Sequence, residues 1–495
     1  MSQKSEEPAP LKTHYLNQKK NLVLIVGKKL SQVRNVLKLK KVVLVKSISG
    51  IRGTLENIPG KSLSDLDISK AILSYIKHVI NKSSKNTVVI GRDARPSGDH
   101  INKLVIKILL ENGVDVIDLG LATTPSIGIY VNTHSLSGGI IISASHNGVE
   151  WNALKLLNDK GEFLTKNIAN KIINGEISEY KKLKKLGKYS FDKHALEEHI
   201  NKIISINIIN QSAIEKKKFK VIVDGINSVG GFAVPELLKK IGVKTIYKLN
   251  CVPDGKFSHD PEPLPENITE IRNIMKNNNF DLGIVVDPDV DRLCFLDEKG
   301  DPVGEEYTLV LAAKQLLTKH KKIITCSNLS STMALKKITI SANGKYFPSA
   351  VGEINVVEKM KEFNADIGGE GNGGVIYPKT HYGRDALVGI AMVLSLLAES
   401  DSSLSEIKKE LPQYFISKNK ITFNEDFNLL VDKFKKEYID HNIITIDGIK
   451  IEKKNSWFHI RKSNTEPVVR IYAEADSSEK ANLLANEVIE KIKKI

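Results

Sequence analysis

Short apolar runs alternate with longer amphipathic segments along most of this chain, beginning at about Val42. The runs TVVIG, DVIDLG and GGIIIS have the length and β-branched composition of buried strands. Between them lie stretches of helical periodicity such as SGDHINKLVIKILLEN, which Gly113 terminates. Alternation of this kind predicts parallel sheets covered by helices.

The same plan occurs three times before the pattern changes. A second unit runs from FKVIVDG to LGIVVD, and a third runs from EYTLVLAAKQLLTKH through KIITCSN to ADIGGEGNGG. The last part of the chain differs: the strand NKITFN and a helix through Tyr438 are followed by four strands, IITID, GIKIEK, SWFHIRKS and VVRIYAEA, and by a helix after Ser477, which is an α+β arrangement. We therefore predict an α/β fold class, with three related α/β domains of mixed, largely parallel sheets and a C-terminal α+β domain. The predicted segments are a basic, disordered tail at 1–40 and four domains at 41–185, 190–301, 302–412 and 415–495.

Charge changes this picture little, although the net charge is +15. The first 46 residues hold eleven basic and two acidic side chains, so much of the excess lies in the predicted tail. Only nine of the 73 basic residues are arginine, and aromatic residues make up only 6% of the chain. Because nucleic-acid readers depend on arginine forks and aromatic stacking, a generic basic surface explains the charge better than a nucleic-acid partner.

Membrane and secreted classes are also disfavoured. No apolar run reaches the roughly 20 residues of a membrane span, and NLVLIV near the N-terminus is too short for a secretory core. The three cysteines, Cys251, Cys294 and Cys326, are far apart and odd in number, which is typical of free thiols. We expect a cytoplasmic protein in a reducing compartment.

Three aspartates at alternate positions are the strongest chemical signal. Asp287, Asp289 and Asp291 follow the apolar run LGIVV and directly precede Arg292. Their mutual repulsion calls for a cation, and an all-oxygen ligand set suits Mg²⁺ first among hard divalent ions. An arginine beside such a cluster indicates that an anion, often phosphate, binds there too.

Two alternatives remain open for this triplet. Counted from Asp287, Glu298 stands at position twelve, as in a helix-loop-helix calcium site. That loop requires glycine at its sixth position, where this chain has Arg292, and the preceding segment predicts a strand rather than a helix. The second alternative is an acidic turn with a purely structural role.

Two further polar loops follow predicted strands. In ISASHN, Ser145 is followed by His146 and Asn147, and the serine could be a loop residue, a helix cap or a nucleophile. The nearby sequence has no G-x-S-x-G motif, which argues against an α/β-hydrolase. GGEGNGG places Glu370 and Asn372 among glycines, a combination that suits sugar hydroxyls. Because ligands of open α/β sheets bind at the carboxyl ends of strands, we expect these loops and DPDVDR to converge on one cleft.

The arginines point to an anionic ligand. Seven of the nine lie in glycine-, aspartate- or asparagine-rich stretches, where a planar fork is useful: Arg52, Arg92, Arg95, Arg292, Arg384, Arg461 and Arg470. The C-terminal run RKSNTEPVVR combines two of them with hydroxyl, amide and backbone donors, as phosphate-binding loops do. Its candidate residues are Arg461, Ser463, Asn464, Thr465 and Arg470. A solvated turn broken by proline is the alternative.

Together, these motifs resemble the α-D-phosphohexomutase family. SISGIRGT, GRDARPSG, SASHNGVEWNALK, DPDVDR, GGEGNGG and RKSNTEPVVR occur in the family's order, from about residue 46 to the C-terminus. The resemblance implies four domains and a phosphate on Ser145 that shares a single Mg²⁺ with the three aspartates. It also implies that Lys155 assists proton transfer and that Arg52 and Arg292 contact the transferring phosphate, and His146 is a further catalytic candidate.

The resemblance assigns the substrate side as well. Glu370 and Asn372 belong to the sugar loop, and the residues from Arg461 to Arg470 hold the phosphate that is not reacting. The implied reaction interconverts hexose 6-phosphate and 1-phosphate through a bound hexose 1,6-bisphosphate, so that a small sugar phosphate is the expected partner. Glucosamine phosphate is slightly favoured over glucose or mannose phosphate. A metal-dependent phosphatase with the same serine, and a calcium- or nucleic-acid-binding protein without catalysis, are the competing classes.

Two loops depart from the family pattern. Gly148 stands where the family often has proline after SHN, which loosens the loop without removing a chemical group. Gly373 and Gly374 stand where some members carry a histidine, which leaves the general acid and base open.

Overall fold

Four sheets organise the part of the chain that the computed structural model describes, residues 42–175, 185–462 and 468–495. The predicted tail at 1–40 lies outside these residues. The region Leu44–Ile495 forms one compact unit.

The first sheet is mixed, because a parallel centre is extended by an antiparallel hairpin. Its seven strands lie in the spatial order Leu44–Ser47, Gly50–Thr54, Trp151–Leu157, Gly138–Ile142, Thr87–Arg92, Asp115–Leu121 and Tyr189–Phe191. The last four strands are parallel to one another, and the first three pair antiparallel with each other and with Gly138–Ile142. The covering helices are Asp65–His78, Gly98–Glu111, Thr124–His134 and Lys166–Asn174, with a 3₁₀ turn at Ile80–Lys82.

The second and third sheets repeat one plan, three parallel strands with an antiparallel strand at one edge. The second runs Leu293–Leu296, Leu282–Val286, Lys220–Asp224 and Thr245–Leu249, and the third runs Gly374–Ile376, Ile367–Glu370, Ile324–Asn328 and Lys345–Ser349. Their helices are Ala195–Ile204, Gln211–Lys217, Gly230–Lys240, Thr269–Asn277, Glu305–Lys319, Met333–Ser341, Glu353–Phe363, Ala386–Glu399 and Leu404–Glu410.

All three sheets place a polar loop at the same point of this plan. The loop follows the strand at the edge of the parallel part of the sheet and leads into the antiparallel strand that pairs with it. In chain order these loops carry SASHN, DPDVDR and GEGNGG. The carboxyl ends of parallel strands therefore present all three motifs.

One core serves the second and third sheets together. The helix Ala386–Glu399 is buried along nearly its whole length and packs on helices of both units, Gln211–Lys217 and Glu305–Lys319 among them. The first sheet and the C-terminal sheet have cores of their own. The second and third units therefore share one hydrophobic core. The predicted boundaries between the domains stay predictions.

The C-terminal unit is a separate antiparallel sheet. Its strands lie in the order Phe415–Thr422, Val468–Ala475, Trp457–Lys462, Ile449–Glu452 and Asn442–Ile444, with the helices Phe427–Glu437 and Ser478–Lys493. Polar contacts join it to the third unit: Lys418 pairs with Glu305 at 3.0 Å, and the Met333 N–H donates to Glu474 Oε2 at 2.9 Å. The predicted fold class is confirmed.

Two sequence expectations about compartment can be compared with the described residues. Cys251, Cys294 and Cys326 are free thiols, and the last two are buried. No single described helix is long and apolar enough to cross a membrane, whereas Ala386–Glu399 and Leu404–Glu410, bent by 91°, pass that test only as a pair. Burial in the shared core explains the apolar character of the first of these helices. A cytoplasmic location stays a prediction.

Candidate active site

Ser145 lies just beyond the strand Gly138–Ile142 in a backbone conformation that L-residues seldom adopt. Its φ is +50° and its exposure is 2%. Ser143 Oγ accepts from the Ser145 N–H at 3.0 Å, and Arg95 Nη2 donates to the Ser145 carbonyl at 2.6 Å. Held in this way, Ser145 Oγ donates to Asp287 Oδ2 at 2.6 Å. Strained, fully held residues of this kind concentrate at functional sites.

Arg95 is the main support of this loop. Its guanidinium is completely buried, pairs with Asp93, and donates to the carbonyl of Asn147 as well as to that of Ser145. A fork that bonds two carbonyls and one carboxylate fixes the loop through its backbone. The arginine of GRDARPSG therefore positions the serine loop from beneath.

The three aspartates of DPDVDR form a compact, completely buried cluster. One carboxylate oxygen from each lies within 4.8 Å of the others, and each residue is 0% exposed. Asp287 Oδ1 accepts from the N–H groups of Asp291 and Arg292, at 3.1 and 3.0 Å, which tightens the turn. Oδ1 of Asp289 and Oδ1 of Asp291 have no hydrogen-bond partner among the described residues. Buried oxygens without donors beside like charges fit a hard divalent cation, and the triplet is typical of a Mg²⁺ site.

The surroundings shift the pKa values of Asp287 and Asp289 in opposite directions. Burial raises the pKa of Asp287 well above its usual value, and Asp291 and Asp289 raise it further. Burial alone would also raise the pKa of Asp289, but Lys155 and Thr124 outweigh it and the pKa is lowered. Lys155 Nζ and Thr124 Oγ1 each lie 2.5 Å from Asp289 Oδ2. A bound cation would replace the proton that Asp287 otherwise favours.

Lys155 reaches this cluster from the strand Trp151–Leu157. That strand pairs antiparallel with Gly138–Ile142, and the register places Lys155 opposite Ile141. Its ammonium lies 2.5 Å from Asp289 and 3.4 Å from Asp291. Burial would lower its pKa, but the two carboxylates outweigh burial and raise it. Lys155 is therefore an ammonium as long as both carboxylates face it.

The remaining predicted catalytic side chains lie around the same loops. Arg52 Nη1 donates to Asn147 Oδ1 at 2.7 Å, and Arg292 Nη1 donates to Glu262 Oε1 at 2.8 Å. His146 lines the cleft beside Arg292. Burial lowers the pKa of His146 well below its usual value, and Arg292 and Arg52 lower it further. Its imidazole is therefore neutral.

A cleft of about 370 Å³ joins the four units. It is lined by groups from every unit: His146, Glu262, Leu264, Arg292, Glu306, Asn328, Ser330, Val351, Glu370, Gly371, Asn372, Lys418, Arg461, Arg470 and Tyr472. The lining combines three arginines with carboxylate and amide side chains. Such a lining suits a small, hydroxylated anion.

The sugar-loop candidates lie on the wall of this cleft. Glu370 Oε1 accepts from Asn328 Nδ2 at 2.8 Å and from the Gly352 N–H at 3.0 Å. Asn372 Oδ1 accepts from the Gly374 N–H at 3.2 Å. The Leu293 N–H, just past the aspartates, donates to the Gly373 carbonyl at 3.2 Å, so the metal and sugar loops touch directly.

The C-terminal candidates are only partly described. Arg461 and Arg470 stand opposite each other on adjacent antiparallel strands, and both line the cleft. Ser463, Asn464 and Thr465 lie outside the described residues. Glu298, the twelfth position of the calcium alternative, instead accepts from the hydroxyl of Ser405 at 2.5 Å. The segment before the triplet is a strand, so the structure does not support that alternative.

Two residues at the site had little or no individual signal in the sequence. Thr124 is the first residue of a helix that Thr123 caps, with Pro125 in the first turn, and its hydroxyl donates to Asp289 Oδ2. Arg384 Nη2 lies 2.7 Å from Asp291 Oδ2. The scarcity of arginine singled out Arg384 but gave it no partner, and nothing local singled out Thr124.

Family profiles match the chain in four consecutive segments. They describe phosphoglucomutase/phosphomannomutase: α/β/α domain I at residues 46–183, α/β/α domain II at 197–300, α/β/α domain III at 304–415 and the C-terminal domain at 418–491.

Relatives of two named activities are similar over most of their length. A phosphoglucomutase/phosphomannomutase from Thermococcus kodakarensis is 35% identical over 80% of this chain and 87% of its own. A probable phosphoglucosamine mutase from Methanopyrus kandleri is 30% identical over 90% of this chain and 97% of its own.

Solved structures share the fold at lower identity. A phosphoglucomutase/phosphomannomutase family protein from Burkholderia thailandensis has a TM-score of 0.76 and 23% identity, over 91% of this chain and 98% of its own. N-acetylphosphoglucosamine mutase from Aspergillus fumigatus, in complex with GlcNAc-6P and magnesium, has a TM-score of 0.52 and 17% identity, over 84% of each chain.

Proposed function

This chain belongs to the α-D-phosphohexomutase family, and we propose that it interconverts hexose 6-phosphate and hexose 1-phosphate through a phosphate carried on Ser145. The observation that carries the proposal is the hydrogen bond from Ser145 Oγ to Asp287 Oδ2 at 2.6 Å. It places a hydroxyl against a buried carboxylate cluster that suits a divalent cation. A phosphate on that hydroxyl would lie between the cation site and the arginines of the cleft.

Ser145 would exchange its phosphate with the sugar twice in each cycle. In the first transfer the Oγ–P bond breaks and a bond forms from phosphorus to the free hydroxyl of the hexose monophosphate, which gives the hexose 1,6-bisphosphate. The bisphosphate then turns by half a revolution. In the second transfer its other phosphate returns to Ser145 Oγ and the isomeric monophosphate leaves. Positioning and charge neutralisation supply most of the acceleration in such transfers.

The protein itself supplies positive charge at the transferring phosphate. Arg52 and Arg292 present guanidinium groups beside the serine loop. Among the described residues, Arg52 bonds Asn147 and Arg292 bonds Glu262, each through Nη1, so further N–H groups remain for phosphate oxygens. We assign these two arginines to the reacting phosphate, and Arg461 and Arg470 to the other one.

Magnesium is the cofactor that the triplet fits, held by Asp287, Asp289, Asp291 and the Ser145 phosphate. When bound, Mg²⁺ would stabilise negative charge on the transferring phosphate as a Lewis acid. Lys155 is kept protonated by Asp289 and Asp291. We assign Lys155 to proton transfer: as an amine it would take the proton of the attacking sugar hydroxyl, and as an ammonium it would return a proton to the leaving oxygen.

Glucosamine phosphate is the substrate we favour, with glucose and mannose phosphates as the alternative. The loop GGEGNGGVIYP resembles both phosphoglucosamine mutases and members with mixed glucose and mannose phosphate specificity, so it favours glucosamine phosphate only slightly. One of the two relatives above is named a probable phosphoglucosamine mutase. Glu370 is the acceptor that faces the sugar region, and Asn328 and the Gly352 N–H hold its other oxygen. It would accept from sugar hydroxyls or from a protonated amine.

A substrate panel tests the proposal. Hexose 1- and 6-phosphates of glucosamine, glucose and mannose are incubated with the enzyme, Mg²⁺ and a catalytic amount of hexose 1,6-bisphosphate, and products are followed by phosphorus NMR. We expect isomerisation that depends on the bisphosphate, with the highest kcat/KM for glucosamine phosphate. Ser145→Ala should abolish it, while the exposed Ser212→Ala keeps wild-type activity. Release of inorganic phosphate without isomerisation would instead identify a phosphatase.

A further inference from the structure

Arg384 connects the two loops that the proposed reaction must bring together. It directly precedes Asp385, whose side chain caps the helix Ala386–Glu399. Its Nη2 lies 2.7 Å from Asp291 Oδ2 on the metal loop, and its Nη1 lies 3.2 Å from Glu370 Oε2 on the sugar loop. A single guanidinium thus contacts a carboxylate of each loop with a different nitrogen.

The backbone around Arg384 is fixed by several bonds. The Arg384 N–H donates to Glu353 Oε1 at 3.0 Å, and Nε lies 3.0 Å from Glu353 Oε2. The Asp385 N–H donates to the Val375 carbonyl at 2.8 Å. With its side chain 10% exposed, Arg384 has little freedom to leave its carboxylates. Its fork geometry is therefore available before any ligand binds.

Gly374 leaves the space that the stem of Arg384 occupies. A Cβ at position 374 would lie 2.3 Å from Arg384 Cδ and 2.9 Å from Arg384 Cγ, which is too close for either atom to stay. Gly374 is absent from the residues with positive φ, so an alanine there would suit the backbone. Space for Arg384, rather than conformation, is what this glycine provides.

We propose that Arg384 is a positioning residue that aligns the sugar-binding carboxylate Glu370 with the metal loop, and that Gly374 is glycine to admit it. The inference rests on the proposed function and deepens it, since it names how sugar recognition is coupled to the phosphate site. Asn328 and the Gly352 N–H hold Glu370 Oε1, whereas Oε2 is held by Arg384 Nη1 at 3.2 Å and, over a longer distance of 3.5 Å, by Asn372 Nδ2. Without Arg384, Oε2 loses its shorter, charged contact and keeps only the longer one with Asn372.

Substitutions at Arg384 separate its fork from its charge. Arg384→Gln removes the charge, and Arg384→Lys keeps a charge that cannot bond two carboxylates through separate nitrogens. We expect both to raise the KM for the sugar phosphate by about 10²-fold, the effect of breaking a buried charged contact, with a smaller change in kcat. Arg272→Lys and Arg272→Gln are matched controls, because Arg272 pairs only loosely with Asp301 at 3.8 Å. Equal KM values in Arg384→Lys and wild type would overturn the inference.

Ligand titrations give a readout that does not depend on turnover. In calorimetry, Arg384→Gln should bind Mg²⁺ at least as tightly as wild type, because a positive charge beside Asp291 has been removed. With Mg²⁺ present and Ser145→Ala added to prevent turnover, the same variant should bind the hexose 6-phosphate about 10²-fold more weakly. If Mg²⁺ affinity and the melting temperature fall together instead, Arg384 is a scaffold residue and the inference fails.

A double-mutant cycle tests the part played by Gly374. Gly374→Ala alone should raise KM because its methyl group displaces the Arg384 stem. Added to Arg384→Ala, the same change should alter KM by less than about twofold, since the steric conflict is gone. Additive effects would overturn the role given to Gly374. Wild-type enzyme that isomerises no hexose phosphate would count against the proposed function instead, while the Mg²⁺ titration would still test the contact between Arg384 and Asp291.

Discussion

Ser145 Oγ and Asp287 Oδ2 lie 2.6 Å apart although 142 residues separate them in the chain. One belongs to the first sheet and the other to the second. Each follows the strand at the edge of the parallel part of its sheet, so the carboxyl ends of these two strands face each other at this contact. This bond joins the proposed phosphate carrier to the proposed metal site.

Ser145 should become phosphorylated when the enzyme meets its activator. Incubation with hexose 1,6-bisphosphate and Mg²⁺ should add one phosphoryl group to the peptide that contains Ser145, because its hydroxyl alone contacts the aspartate cluster from the serine loop. Mass spectrometry of the digested protein measures it. Ser145→Ala should take up none, and a phosphoryl group on any other residue would contradict the assignment.

Asp287→Asn should stabilise the metal-free protein while it abolishes activity. Three buried carboxylates repel one another, and burial raises the pKa of Asp287 well above its usual value, so a neutral amide there removes a cost at neutral pH. Thermal unfolding in EDTA should show a higher melting temperature than wild type.

Added Mg²⁺ should reverse that order. Wild type should gain about 2.7 kcal/mol of stability at a hundredfold excess of Mg²⁺ over Kd, and Asp287→Asn should gain much less. The exposed Glu56→Gln serves as the control that responds to Mg²⁺ as wild type does. If Asp287→Asn is less stable than wild type in EDTA, the prediction is wrong. In that case the hydrogen bonds of this carboxylate to the turn stabilise the protein by more than its repulsion from Asp289 and Asp291 destabilises it.

The free energy of unfolding should fall as pH rises, because Glu474 is buried at the contact between the third and C-terminal units. Burial raises the pKa of Glu474 from 4.5 to about 7, although Glu474 Oε2 accepts from Trp457 Nε1 at 2.5 Å. An acid with a raised pKa is most favourable when protonated, so its contribution is complete below pH 4.5 and is lost as pH rises to about 7. The loss amounts to about 3 kcal/mol at most.

Glu474→Gln should therefore be less sensitive to pH than wild type. The melting temperature of wild type should drop between pH 5.5 and pH 8, and that of Glu474→Gln should drop less. Glu306, whose pKa burial raises to about 8, should account for part of what remains. Identical pH profiles for the two proteins would mean that Glu474 is ionised in the folded state at both pH values.

His199 should be essential for stability although it touches no candidate catalytic group. It is completely buried, with Nδ1 3.0 Å from Ser126 Oγ and Nε2 2.8 Å from Asp385 Oδ2. It thereby ties the helix that carries Thr124 to the residue that follows Arg384. His199→Ala leaves Asp385 buried without its partner and should cost about 3–5 kcal/mol in chemical denaturation. The exposed His194→Ala should cost under about 1 kcal/mol, and a similar loss in both variants would refute the buried link.

Local patterns were enough to predict the elements and most of the chemistry. The alternation of apolar runs with helical segments predicted the α/β class, because the period of hydrophobic residues reports which face of an element is buried. The aspartates after LGIVV predicted an acidic cation site, because alternate positions bring like charges together whatever surrounds them. Arg384 could be noticed for its rarity, but no local rule linked it to Asp291, 93 residues away.

The sequence by itself determined the order of strands and helices, the polar loops that end the parallel strands and the residue types that suit phosphate and Mg²⁺. Only the tertiary structure decided which of these loops meet, that the second and third units share the core around Ala386–Glu399, and that Gly374 makes room for Arg384. The physical reason is the distance along the chain over which each kind of interaction acts. Periodicity and turn chemistry act over a few residues, whereas the contacts that pair Ser145 with Asp287 and Arg384 with Glu370 depend on how whole sheets pack.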